Sequence, residues 1–229
     1  MGREQESEVT ARILAVVLEL LAADGYNGVH LRTVASRAHV SLTRIYKLFP
    51  TRDELILVAL EQWMAEHAYA EVELPVPGES VRDALTRVLR CVFEPWERNP
   101  TMLEVYHHAR SGPGGQRLDQ QGLAAVMPVA VDALRDLDPE YIHDLAIILT
   151  NMALALISRF ATGTLEITGI LPILERTVYR LTADNETASK QRTASHAEGQ
   201  INASLADVSE SLGQMVTRTQ PPESHANRA

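Results

Sequence analysis

Acidic residues are missing from one stretch of an otherwise acidic chain. Between Gly25 and Arg52 there is no Asp or Glu, although the 229 residues together carry a formal net charge of −9. An acidic protein is a poor general coat for nucleic acid, so any contact with a polyanion is confined to one small basic face. Cysteine is nearly absent as well. Cys91 stands alone, which excludes an internal disulfide and suits a reducing compartment; at helical spacing in an apolar run it reads as core filler. Alternating strand patterns are scarce. The longest apolar run, 145–157, is interrupted by Thr150 and Asn151 and falls short of the roughly 20 residues a membrane span needs. The polar, acidic start MGREQESEVT is unlike a secretory or organellar leader. These absences predict a soluble, cytoplasmic, all-α protein without a cofactor.

Signs of catalysis are equally thin. There is no Gly-x-Ser-x-Gly elbow and no Cys/His metal pattern. His107 and His108 are adjacent, so on a helix they point about 100° apart and cannot share one ion. His67, His143 and His196 fall in no ligand spacing. The glycine-rich 111–115 segment lacks the preceding strand and the Lys-Ser/Thr of a phosphate loop, and reads as a connector.

The acid-free window, by contrast, is rich in cations: Arg32, Arg37, Arg44, Lys47 and Arg52, with His30 and His39 among them. Apolar spacing predicts a first helix over 7–24, stopped by Gly25, and a second over 31–38. Ser41 supplies an N-cap, with Val40 and Ile45 placed as a hydrophobic staple, for a short third helix over 42–49. Thr51 and Glu54 form a capping box for a fourth, running to about Val72. Helix, tight turn and short helix in this order describe a helix-turn-helix, whose second helix enters a DNA groove.

Beyond Pro75, Pro77 and Gly78, a likely joint by composition, five more helices are predicted. They begin at the Ser80 cap, at Pro100, near Gln116 (to Asp136, kinked at Pro128), at Pro139 (to about Thr162), and over 165–181 with Pro172 inside. That divides the chain into a reading head (1–55, with a connector to about 74), a helical domain (75–183) and a polar tail (184–229). Within the tail, Ile201, Leu205, Val208, Leu212 and Met215 repeat as in a short amphipathic helix over 200–217.

The head resembles the tetracycline-repressor (TetR) family of bacterial transcription regulators over about 10–63. The matching residues are Gly25-Tyr26, Arg32-Thr-Val-Ala35, Val40-Ser41, Ile45-Tyr46, Phe49-Pro50-Thr51-Arg52 and Leu55. Three positions depart from that pattern. His39 stands for the usual turn glycine, at a position where His tolerates positive φ. His30 replaces a Ser or Thr cap, and Leu48 replaces a frequent His, removing a phosphate contact.

The resemblance implies a homodimer that places two recognition helices in the major groove of a palindromic operator. By position, Leu42, Thr43 and Arg44 would face bases, Arg32, Tyr46, Lys47 and Arg52 would hold phosphates, and the capping Ser41 would belong to the same DNA-binding set. It also implies an apolar effector pocket, with Phe93, Trp96, Met102, Tyr106, Met127, Thr150, Asn151 and Met152 as candidates, and dimerisation through the last two helices. The 98–100 segment, Arg-Asn-Pro, resembles that of the family's steroid- and lipid-catabolism repressors, implying an acyl-CoA-type effector. Other readings share these residues: a helical interaction protein or small-molecule binder that reads no specific DNA, and an activator of the same fold.

Overall fold

Short polar side chains at helix starts set the boundaries of this fold. A computed structural model describes residues 2–73, 78–134 and 137–183. In it the Ser41 hydroxyl accepts from the Arg44 amide at 3.1 Å, Thr51 from Glu54 at 3.0 Å, Ser80 from Asp83 at 3.1 Å and the Asp138 carboxylate from Glu140 at 3.0 Å. Each cap serves a first-turn amide that lacks the i−4 carbonyl of a helix interior, a contribution of about 1 kcal/mol.

Among the described residues, nine α-helices follow from these and other starts: α1 (Gly2–Gly28), α2 (Leu31–Arg37), α3 (Leu42–Leu48), α4 (Arg52–Trp63), α5 (Val81–Arg98), α6 (Pro100–Arg110), α7 (Gln116–Leu134), α8 (Pro139–Ala161) and α9 (Ile170–Thr182). No strand occurs among the described residues, in keeping with the all-α expectation. The joint at Pro75 and Pro77, the end of the seventh helix at Asp136 and the tail over 184–229 lie outside the described residues.

Several boundaries differ from the sequence reading. Gly25 does break the first helix, with φ 68°, but helical geometry resumes as far as Gly28. The fourth helix does not run to Val72; α4 ends at Trp63 and widens into a π-helical turn, Met64–Ala68. α5 carries Pro95 within it, and α7 continues through Pro128. A 3-10 turn, Ile167–Gly169, precedes α9, so Pro172 falls in that helix's first turn, where its missing N–H costs nothing. His39 adopts φ 53°, the positive value its place in the turn requires.

Seven residues are too few for α3 to persist alone. It is held because Ile45 is wholly buried and Phe49 nearly so, each contributing about 1.5–3 kcal/mol. Ile13, Val17 and Leu21 of α1, Val34 of α2 and Leu55 and Leu60 of α4 complete that core. The core continues without interruption into Met102 and Leu103 of α6, Leu118 of α7 and Leu174 of α9. Head and C-terminal half are therefore packed as one body. A second cluster, Leu134, Leu137, Ile142 and Leu145, ties α7 to α8.

α8 is longer and more uniformly apolar than the 145–157 run suggested. Its 23 residues meet the length and composition of a membrane-crossing helix. Here α8 packs on α6 and α9, fully burying only Ile142, Leu145, Leu156 and Ile157. Ile148 on α8 and Tyr179 on α9 are exposed.

Candidate DNA-reading head and effector cavity

The outer face of the head is built by α3 lying across α2. Thr43, Tyr46 and Lys47 are exposed on α3, and Arg32 is exposed on α2. Arg32 and Lys47 have no ion-pair or hydrogen-bond partner among the described residues. Leu42, although at the front of α3, packs against the core and is half-buried. Arg37 is occupied by Glu19 of α1. Arg12, a cation the motif reading passed over, donates from Nε to the Ala38 carbonyl at 3.1 Å and closes the end of α2.

Arg44 is half-buried and its Nη2 lies 3.3 Å from Glu6 Oε1 on α1. A duplex that engages Arg44 must first displace that carboxylate, itself a repulsive neighbour for phosphate. Glu6→Gln is therefore expected to raise duplex affinity about two- to fivefold, the scale of an exposed ion pair. Fluorescence anisotropy of a labelled duplex at fixed salt checks this.

Arg52 is not free to clamp phosphate as the motif implied. Its Nε donates to the Val29 carbonyl at 2.7 Å, its Nη2 donates to the Tyr26 carbonyl, and the guanidinium sits 4.7 Å from the Tyr26 ring centroid. The Tyr26 hydroxyl in turn donates to Asp53 Oδ1 at 2.8 Å. Burial, then that bond to Asp53, pushes the Tyr26 phenol up to about 12, so it remains a donor. This knot fastens the end of α1 to the start of α4. Arg52→Ala is expected to lower unfolding free energy by about 1.5–3 kcal/mol, because two carbonyls lose a charged donor. Denaturant unfolding at fixed protein concentration checks it.

A cavity of about 250 Å³ lies among α5, α7 and α8. Of the eight candidates, Phe93, Trp96, Tyr106, Met127 and Thr150 line it. Three candidates do not. Met102 is buried in the core beneath α6. The Asn151 amide donates to the Ile147 carbonyl of its own helix at 2.9 Å, and the Met152 sulfur accepts from the Thr177 hydroxyl at 3.1 Å. All three lie on helices that flank the cavity but face other neighbours.

The polar part of the wall was not anticipated. Asp119 Oδ1 accepts from the Tyr106 hydroxyl at 2.6 Å and from Arg110 Nε at 3.1 Å, and Oδ2 accepts from Arg110 Nη2 at 2.8 Å. Burial and then the Asp119 charge drive the Tyr106 phenol well above its ordinary range. Tyr69 and Gly122 also line the space. Among the described residues, no group of three or more His, Cys, Asp or Glu side chains is arranged to hold a metal ion.

The helix that lines the cavity also grips α4. Arg117 places Nε and Nη2 each 2.9 Å from the two Glu61 carboxylate oxygens, and Nη1 2.9 Å and 3.1 Å from those of Glu54. The Gln121 amide adds a bond to the Glu61 carbonyl at 2.8 Å. Glu54 thus serves α7, while its backbone amide takes the Thr51 cap. On the other side of the head, the Tyr26 and His108 rings meet at 4.0 Å, joining α1 to α6.

A helix-turn-helix head with an exposed second helix, packed in the same polypeptide on a helical bundle with an apolar cavity, is the arrangement of a class of bacterial transcription regulators. The family model described as "Bacterial regulatory proteins, tetR family" matches residues 13–59, and "Tetracyclin repressor-like, C-terminal domain" matches 78–181. The chain belongs to the tetracycline-repressor family.

Among curated relatives, the HTH-type transcriptional repressor KstR of Mycobacterium tuberculosis is 27% identical over 109 residues, 48% of this chain and 50% of that protein. The DNA-binding transcriptional repressor TetR of Mycobacteroides abscessus is 42% identical over 52 residues, 23% of this chain and 27% of that protein. The chain thus spans half or less of the length of these relatives. A TetR transcriptional regulator from Rhodococcus sp. RHA1 superposes with a TM-score of 0.60 at 18% identity, covering 77% of this chain and 98% of that one. A second Rhodococcus regulator gives 0.54 at 22% identity, covering 76% and 98%. These two establish likeness of fold.

Proposed function

We propose that this protein is a homodimeric repressor that binds a palindromic operator through α3 and is released by a small apolar effector held in the α5–α7–α8 cavity. The observation that carries the reading is the outer face of the head. Thr43, Tyr46, Lys47 and Arg32 are exposed there together, in a stretch with no acidic residue. Thr43 and Arg44 sit at the front of α3, where side chains reach base edges, and Tyr46, Lys47 and Arg32 flank them where phosphates pass. Ser41 contributes its cap and its place at the helix front; Leu42 contributes core packing and an apolar edge.

Dimerisation is assigned to α8 and α9. α8 leaves apolar surface uncovered on the side that bears Ile148, and Tyr179 of α9 is 59% exposed. Two copies sharing that face bury what a single chain leaves in water, and set two α3 helices about one DNA turn, 34–36 Å, apart. Effector and operator communicate through α7: Leu118, Asp119 and Gly122 face the cavity, while Arg117 and Gln121 hold α4. A ligand that prefers a shifted α7 draws α4, and with it the head, out of operator spacing.

Selection of bound fragments from the source genome, followed by mobility shift, tests this reading. The expected product is a two-fold symmetric site that the protein leaves when an apolar effector is added; steroid and fatty acyl-CoA esters are the first to screen, alongside uncharged steroids and fatty alcohols, since the cavity itself has room only for the apolar part of such an ester. Recovery of unrelated fragments without a shared site contradicts it.

A further inference from the structure

We infer that the cavity takes a neutral, largely apolar ligand bearing one oxygen function, that the Tyr69 hydroxyl hydrogen-bonds this oxygen, and that Gly122 fixes where the bond is made. The inference rests on the cavity being a ligand site, and deepens the effector proposal by naming the ligand's chemistry.

The charge balance of the wall excludes ions of either sign. Leu, Val, Ala, Phe and Trp side chains make most of the lining, and among the described residues the one ionised group on it is Asp119. Both Asp119 oxygens are already taken by Arg110, and Oδ1 also by Tyr106. Arg110 is spent on that pair, so among the described residues no cation faces the cavity to replace the hydration of a carboxylate, sulfate or phosphate. Asp119 is neutralised in the same way, so an ammonium gains no counter-charge from it.

What is left for a ligand is hydroxyl. Among the described residues, the Tyr69 and Thr150 hydroxyls line the cavity with no hydrogen-bond partner. Tyr69 is the fixed one. It leaves the π-helical turn after α4 and lays its phenol on the backbone of α7, where a Cβ on Gly122 would stand 2.7 Å from the phenol oxygen. Burial, with the Asp119 charge behind it, raises this phenol's pKa above the ordinary range, so the group presented is a protonated donor. An enclosed donor without a partner calls for an acceptor, and a ligand hydroxyl or carbonyl supplies one.

The chain has two tryptophans. Trp96 lines the cavity and Trp63 lies 4.5 Å from it, ring centre to ring centre, so intrinsic fluorescence reads occupancy directly. The full-length protein is titrated, without DNA, with decan-1-ol, decanoate and decyltrimethylammonium, each below its aggregation concentration. Decan-1-ol is expected to saturate the signal at least tenfold more tightly than either ion. Tyr69→Phe is expected to weaken decan-1-ol about three- to tenfold, the loss of one neutral hydrogen bond. Gly122→Ala, which removes a helix-interior glycine and so preserves folding, is expected to weaken it by displacing the phenol. Equal or tighter binding of decanoate or the ammonium, an unchanged affinity in Tyr69→Phe, or no saturable response to decan-1-ol overturns the inference. Saturable binding that leaves the operator complex intact contradicts the effector role alone.

Discussion

Arg44→Ala protein is expected to bind its operator and a scrambled duplex with nearly equal affinity. The reason is positional. Ser41 caps α3 and fixes its first turn, which places Thr43 and Arg44 at the end of the helix that, in the proposed complex, meets base edges. Of these, only a guanidinium can grip guanine O6 and N7 with two parallel bonds, a discrimination of about 1–3 kcal/mol at each half-site. Two half-sites in a homodimer make the loss of preference tenfold or more. Lys47→Ala provides the contrast: it removes a charge that meets phosphate, so all duplexes weaken together and the salt dependence of binding becomes shallower. Competition titrations with operator and scrambled DNA at two salt concentrations separate the two outcomes.

Arg110→Ala is expected to destabilise the fold by about 3 kcal/mol. The Arg110 and Asp119 side chains are each only 14% exposed, and their contact is bidentate. Removing the guanidinium leaves a carboxylate beside an apolar cavity with the Tyr106 hydroxyl as its remaining donor. Adding Asp119→Asn to Arg110→Ala removes the stranded charge, so the double variant is expected to recover part of the loss. Denaturant unfolding at one fixed protein concentration is the measurement, since a dimer's apparent stability depends on concentration. A double variant no more stable than Arg110→Ala would show that burial of the charge is not the cause.

The head was legible because its signals are local. The Ser41 and Thr51 caps, the alternation that buries Val34 and Ile45, and the turn at His39 are each encoded within a few residues of where they act. The Arg52 assignment failed for the opposite reason. Its motif is local, but its partners are the Tyr26 and Val29 carbonyls, 26 and 23 residues earlier in the chain. Glu6, which faces Arg44 across 38 residues, is invisible to any window of sequence for the same reason.

Part of the cavity lining, Phe93, Trp96, Tyr106, Met127 and Thr150, could be read from the sequence. Its polar wall could not. Asp119 looks like a solvent-facing residue in an amphipathic helix, and only the turn between α6 and α7 brings it against Arg110 and Tyr106. Tyr69 escaped notice because α4 was expected to continue as a regular helix. The π-helical turn alters the direction of the chain just before Tyr69, and no composition marks it. The wrongly assigned trio, Met102, Asn151 and Met152, shows that being on the right helix does not fix which face a side chain takes.

The most direct measurement is of equilibrium binding by the purified full-length protein, free of ligand, to a genome-selected palindromic duplex against a scrambled duplex of equal length at low salt. A clear preference for the palindrome, one dimer per site and affinity that falls steeply as salt rises, is the expected result. Equal affinity for both duplexes would mean that α3 does not read DNA.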